Sequence, residues 1–268
     1  MEVGLVSSFK YQQEFDRYWD TADQRHTLAL KIRELSGRIR SVSVPMGTVH
    51  HDQTYSSVIS TPNGTVGYLY LDGFNDASFA NIRQEFARLR QAGVRDLVLD
   101  LRYNSGGNAG DAGLLASLIA GQAHDGKLFI RAETSARYPD RASSYILERQ
   151  PESLLTRRLV VLTTRETCSA SETIINGLRP YLPVYTVGST TCGKPYLMEP
   201  IQFGGQILYP VTARVLNSRG VAEYTTGITP DRQAEDDLTR TPGDPQEGML
   251  RTALQLLAVQ STTTPTGR

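Results

Sequence analysis

The chain has 268 residues, enough to bury a full core and to hold one large domain with an appendage. Its 28 basic and 28 acidic residues cancel and 39% of the chain is apolar, so no charge excess points to nucleic acid or an anionic membrane as a partner. No stretch approaches the ~18–20 apolar residues of a membrane helix, and Met1-Glu2-Val3-Gly4-Leu5 lacks the basic and apolar regions of a secretory signal.

In chain order, Tyr11 to Trp19 is readable as a short helix. Leu28-Ala29-Leu30-Lys31-Ile32-Arg33 and Ile39-Arg40-Ser41-Val42-Ser43-Val44 alternate apolar and polar residues, which predicts a hairpin turning near Ser36-Gly37. From Thr65 the pattern becomes α/β. Val66 to Leu71 reads as a strand, and Asp76 opens a helix with Phe79, Ile82, Phe86 and Leu89 on one face. Asp96 to Leu101 is a continuous apolar run of the buried, parallel type, followed by Gly106-Gly107 and a helix through Leu114, Leu115, Leu118 and Ile119. Leu159 to Leu162 is a second buried strand that leads into Ser169. A helix with Ile174, Ile175, Leu178 and Leu182 follows, then a strand over Val184 to Val187 and a loop carrying Lys194. Gln206 to Leu216 reads as a further strand with a hairpin partner before it, and Gln246 to Ala258 as a last helix. Strands alternating with helices at this spacing predict right-handed βαβ units in an α/β domain. The division expected is an N-terminal region over 1–60, a catalytic domain over 61–259 and a disordered polar tail over 260–268.

Three places carry chemistry. Ser169-Ala170-Ser171-Glu172 fits a capping box, which would satisfy helix-end N–H groups and need mean nothing more. The same serine also stands at the carboxyl end of a strand, where α/β folds place their sites, with the Ala170 N–H beside the positive end of a helix. Lys194 lies 25 positions later, between Cys192-Gly193 and Pro195. Only Lys10, Lys31, Lys127 and Lys194 among the 28 basic residues are lysines. Arginine cannot serve as a neutral base, whereas a desolvated lysine can. A serine and a lysine so placed can form a dyad, in which a neutral amine takes the hydroxyl proton and the alkoxide attacks an acyl carbon. The third place is Asp100-Leu101-Arg102-Tyr103-Asn104-Ser105-Gly106-Gly107. Gly106 or Gly107 would supply a backbone N–H to an oxyanion, with Asp100 and Arg102 bracing the loop. It lacks the lysine of a phosphate loop. His26, His50, His51 and His124 sit outside all three motifs, so no Ser-His-Asp triad suggests itself.

These residues resemble the C-terminal processing, or tail-specific, serine peptidases. Asp100-Leu101-Arg102-x-Asn104-x-Gly106-Gly107, Ser169-Ala170-Ser171-Glu172 and Gly193-Lys194 match in order, and Gly227-Ile228-Thr229-Pro230-Asp231 resembles a segment near the end of that domain. The resemblance covers roughly residues 60–240 and implies a ClpP/crotonase-like α/β core. By it, Ser169 is the nucleophile and Lys194 the base. Ala170 and a glycine of the Gly106-Gly107 pair form the oxyanion hole, Glu172 supports, and Asn104 belongs to the glycine motif. It implies a polypeptide substrate and calls for neither a cofactor nor a metal. Two departures stand out. Met198 occupies a place where many members have a lysine-orienting glutamine. Residues 10–48 resemble only the latter half of a PDZ domain, with no Gly-Leu-Gly-Phe-type loop.

If Ser169 and Lys194 meet, Cys168 and Cys192 must lie close, as a disulfide or as two free thiols. A bridge would favour a periplasmic or secreted protein whose leader is absent from this chain; free thiols would leave a cytoplasmic place open. A catalytically silent binding protein on the same fold is the second reading. A crotonase-type acyl-thioester enzyme, which explains neither Ser169 nor Lys194, is the third.

Overall fold

The computed structural model describes residues 27–33, 37–45, 47, 53–134 and 143–260. The expected helix over Tyr11 to Trp19, the turn at Ser36 and the tail after residue 260 lie outside them. The chain divides into two compact units, Met1–Asp52 and Gln53–Arg268. In the first, β1 (Thr27–Arg33) pairs antiparallel with β2 (Ile39–Pro45), Leu30 opposite Val42, as the alternation predicts.

The second unit is built on a six-stranded sheet. Its strands are β3 (Thr54–Thr61), β4 (Gly64–Leu71), β5 (Asp96–Asp100), β8 (Arg158–Thr163), β9 (Val184–Gly188) and β14 (Arg232–Gln233), in spatial order β14-β9-β8-β5-β4-β3. All neighbours run parallel except β3 and β4. That hairpin turns at Pro62-Asn63 and Gly64, an Asn-Gly signal between two β-rich runs. The boundary expected after residue 60 therefore falls before Gln53, because β3 pairs with β4 along its whole length.

Period-two alternation divides the core. Leu97, Leu99, Leu159 and Val161 face one side with Leu69 and Leu71, where they meet α2 (Ile82–Gln91), α3 (Ala109–His124) and α4 (Ala170–Leu178) through Phe86, Leu115 and Ile174. Val98, Val160 and Leu162 face the other side and are covered by Met249, Leu250, Ala253 and Leu257 of α5 (Gly248–Gln260). Both faces of the central strands are dry, which explains why β5 and β8 read as unbroken apolar runs.

The helix expected from Asp76 is two helices. A short α1 (Asp76–Phe79), capped by the Asn75 side chain on the Ser78 N–H at 3.0 Å, ends before Asn81, and α2 starts afresh. Asparagine competes with the helical backbone and favours such ends. The strand expected over Gln206 to Leu216 is also broken. β12 (Gln206–Leu208) pairs back onto β11 (Ile201–Phe203), and β13 (Val211–Asn217) begins after Pro210, which has no N–H to continue a ladder. β13 joins β6 (Leu128–Thr134), β7 (Ser144–Ile146) and β10 (Tyr196–Met198) in an antiparallel sheet of order β10-β13-β6-β7. Among the described residues, no helix is long and apolar enough to cross a membrane.

Candidate active site

The carboxyl ends of β5, β8 and β9 hold the three motifs side by side. After β8 the chain turns sharply. The Thr164 N–H donates to the Thr167 hydroxyl at 2.9 Å, and that hydroxyl donates to Leu101 O at 2.8 Å, locking the turn to the end of β5. The Cys168 N–H and the Ser171 hydroxyl both donate to Asn104 O, at 3.1 and 3.0 Å. Ser169 then sits at φ 54°, ψ −112°, a conformation strained for any side chain, with α4 starting at the next residue. A serine on a strained strand-to-helix turn is one whose hydroxyl is pushed out of the backbone's shadow.

Glu172 organises what surrounds it. Fully buried in the first turn of α4, its carboxylate accepts the Ser169 N–H at 3.0 Å and the Lys194 N–H at 2.8 Å on Oε2. On Oε1 it accepts the Gly193 N–H at 2.8 Å and the Thr191 hydroxyl at 2.5 Å. With two donors on one oxygen, the backbone nitrogens of Ser169 and Lys194 stand no more than about 6 Å apart. The Ser169 side chain closes the other half of the capping box without reaching hydrogen-bond geometry, so the cap holds its hydroxyl loosely. A second tie is covalent: Cys168 and Cys192 form a disulfide with Cα atoms 5.2 Å apart. Of the two expectations for the cysteines, the bridge is the one found. The Thr191 hydroxyl also accepts the Ile228 N–H at 2.7 Å, so the Gly227–Asp231 segment props the lysine loop from behind. Ser169 and Lys194 are both half-buried.

The glycine turn lies against the serine. A Cβ on Gly106 would come within 2.8 Å of Ser169 Cβ and 2.9 Å of Ala170 N, and one on Gly107 within 2.1 Å of Phe74 O. Both glycines have positive φ, 95° and 142°. The Gly106 N–H is committed to Asn104 Oδ1 at 2.9 Å, whereas no acceptor takes the Gly107 N–H among the described residues. Asn104, fully buried, also donates from Nδ2 to Leu71 O at 2.9 Å.

The sequence profile of peptidase family S41 matches residues 65–234. The chain belongs to peptidase family S41. Among curated relatives, the carboxy-terminal processing protease CtpA of Bacillus subtilis is 24% identical over 195 residues, covering 72% of this chain and 40% of that protein. The chloroplastic C-terminal processing peptidase of Tetradesmus obliquus is 28% identical over 177 residues, covering 66% of this chain and 36% of that protein. The chain thus spans roughly two fifths of the length of the curated relatives it matches. Among solved structures, a Bacteroides fragilis protein assigned to the S41 proteases superposes with a TM-score of 0.76 at 24% identity, over 87% of this chain and 66% of that one. The photosystem II D1 C-terminal processing protease gives 0.59 at 24% identity, over 78% and 55%. These likenesses establish the α/β fold.

Within this S41 chain, Asp100 and Arg102 stand behind the site rather than in it. Fully buried Asp100 takes the Arg102 Nη2 at 2.6 Å and the Tyr68 hydroxyl at 2.6 Å. Arg102 reaches on to Asp236 at 2.6 Å and Glu247 at 3.3 Å, and Glu247 caps α5 through the Met249 and Leu250 N–H groups. Burial alone would lower the arginine's pKa, but the Asp100 hydrogen bonds and the three carboxylates outweigh it and hold it raised. Tyr103, at φ 63°, donates its hydroxyl to Asp236 at 2.6 Å, and burial with Asp236 pushes that phenol up to about 12. Met198 is exposed beside a β-bulge at the end of β10. Thr167, Thr191, Asp236 and Glu247 were not singled out in the sequence. Each acts across the fold on a residue distant in the chain, and an isolated threonine or acid carries no local pattern of that.

Proposed function

We propose that this chain is a serine endopeptidase that cuts unfolded or C-terminal polypeptide segments through an acyl-enzyme formed by a Ser169–Lys194 dyad. Ser169 Oγ attacks the scissile carbonyl carbon as Lys194 Nζ accepts its proton, and the amine then passes that proton to the departing peptide nitrogen. Water, deprotonated by the same lysine, hydrolyses the ester and frees Ser169. The oxyanion of each tetrahedral intermediate rests on the Ala170 and Gly107 N–H groups, each such donor being worth ~10²–10³ in rate. Gly106 shapes that hole by letting the turn approach Ser169, its own N–H being held by Asn104.

The observation that carries the reading is the single Glu172 oxygen that binds the backbone of both Ser169 and Lys194. A capping box needs the first of those bonds and has no use for the second. The disulfide supports assembly in an oxidising place such as a periplasm or the cell exterior.

Treatment with a fluorophosphonate tests the nucleophile directly. A stable adduct on the peptide containing Ser169, absent from Ser169→Ala and slowed at least a hundredfold in Lys194→Ala, is the expected result. No adduct on a folded enzyme would favour the second reading, a silent binding protein, for which exposed Met198 in place of an orienting glutamine is the one favouring observation.

A further inference from the structure

We propose that the Cys168–Cys192 disulfide is itself a reaction site, a thiol–disulfide exchange centre whose reduction by a dithiol turns the peptidase down. This rests on the peptidase reading above. The bridge closes a loop that any cross-link would stabilise, but its ends fall on the two segments the proposed chemistry uses. It joins the residue before Ser169 to the residue two before Lys194, at a sequence separation of 24. Its opening therefore removes the covalent tie between nucleophile loop and base loop and leaves hydrogen bonds alone to hold them, those on Glu172 and the one from the Cys192 N–H to Thr167 O at 3.1 Å.

The two sulfurs are not equivalent. Cys192 is exposed and lines an open cleft of about 1030 Å³ with Arg165, Ser189, Thr190, Thr191 and Thr226, the side from which a thiolate would approach. The cleft is lined by one cation, Arg165, and one acid, Glu235, so its charge does not bar an incoming thiolate. Cys168 is half-buried and directly precedes the N-terminus of α4, a helix of nine residues, whose positive end stabilises a departing thiolate. Cys192 Sγ lies 3.5 Å from the Glu172 carboxylate and Cys168 Sγ within 4.8 Å of it, so the acid disfavours a thiolate at both sulfurs and more so at the nearer one, Cys192. Attack at Cys192 with Cys168 leaving is thus the favoured direction.

The chemistry balances with a dithiol as the two-electron reductant. Its first thiolate bonds to Cys192 Sγ as the S–S bond breaks, and Cys168 leaves as a thiolate that takes up a proton. Its second thiol then displaces Cys192, leaving the dithiol as a disulfide and Cys192 as a thiol. In that state Cys192 sits beside Glu172 Oε2 as an S–H donor, competing for the oxygen that holds the Ser169 and Lys194 N–H groups. Partners of this class are small dithiols and proteins presenting a reactive dithiol.

Two measurements test this. In Ser169→Ala, which cannot turn over, the bridge is opened with the monothiol glutathione, free thiols are trapped with iodoacetamide, and the adducts are mapped by mass. Glutathione on Cys192 with carbamidomethyl on Cys168 is expected; glutathione on Cys168, or no adduct short of unfolding, overturns the assignment. In the wild type, dithiothreitol is titrated while thiol content, thermal transition and cleavage of an unfolded protein are followed. Turnover should fall at least tenfold as two thiols appear, with the thermal transition still cooperative, and return when glutathione disulfide re-forms the bridge. Cys192→Ala should be low from the start and indifferent to dithiothreitol. Unchanged turnover with both cysteines alkylatable, or melting in step with reduction, contradicts the switch. An oxidised enzyme that never turns over contradicts the peptidase reading instead, and the adduct map still decides the exchange site.

Discussion

Ser169 and Lys194 hang from the same oxygen atom. Glu172 Oε2 accepts both backbone N–H groups, at 3.0 and 2.8 Å, across 25 positions of sequence. The acid is fully buried, and its other oxygen is taken by Gly193 and Thr191, so the whole lysine loop is measured from the first turn of the helix that carries the serine.

Glu172→Gln should therefore damage the site out of proportion to its size. The amide replaces one acceptor by an NH₂ that faces backbone donors, leaving buried N–H groups unpaired at about 1–3 kcal/mol each. A loss of stability of roughly 2–4 kcal/mol in urea unfolding is expected, with fluorophosphonate labelling of Ser169 slowed at least tenfold under conditions where the variant is folded. A variant that melts and labels like the wild type would show that Glu172 is not the shared anchor.

The glycine pair should be intolerant in two different ways. Gly107→Ala sets a Cβ against Phe74 O at 2.1 Å and forces a φ of 142° on an alanine, so a loss of ~2 kcal/mol or more is expected in chemical unfolding. Gly106→Ala pushes on Ser169 and Ala170 instead. Its labelling rate should fall further than its stability explains, as a comparison of the two variants at matched folded fraction would read.

Much of this was legible in the sequence. The apolar runs at Leu97–Leu99 and Leu159–Leu162 give buried parallel strands because both faces of the sheet are covered. The serine, the lysine and the glycine turn are each marked by local pattern. What could not be read is what crosses the fold: the Thr191 hydroxyl bridging Glu172 and Ile228, and Arg102 reaching Asp236 and Glu247 more than a hundred positions away. β3, β6 and β7 also escaped. β6 and β7 belong to an antiparallel sheet whose order, β10-β13-β6-β7, no run of neighbouring residues encodes.

Acid should act through Asp96. Its burial would raise the carboxyl pKa, but the hydrogen bonds from Arg158 and Arg157 outweigh burial and hold it below its ordinary value of 3.8. A depressed folded pKa contributes stability that is complete above the unfolded value and lost as pH falls through the folded one. Thermal unfolding should accordingly show a stability contribution that is flat above about pH 5 and declines below pH 4. Asp96→Asn should remove that decline and cost about 3–5 kcal/mol at neutral pH, because Arg158, buried and also bound to Leu257 O at 2.8 Å, is left without its carboxylate.

Arg102→Met should separate scaffold from chemistry. The substitution strands Asp100 and Glu247 as buried acids without their cation, and about 3–5 kcal/mol of stability should go with it. The labelling of Ser169 in the fraction still folded should stay within about tenfold of the wild type, since no bond of Arg102 reaches Ser169, Lys194 or Glu172. A folded variant with no labelling would place Arg102 in the site itself.

The most direct test of the dyad is degradation of an unfolded protein such as casein by wild type, Ser169→Ala and Lys194→Ala at matched concentration, with the fold of each checked by its thermal transition. Cleavage by the wild type and at least a thousandfold loss in both folded variants are expected. Cleavage that survives either substitution would contradict the dyad.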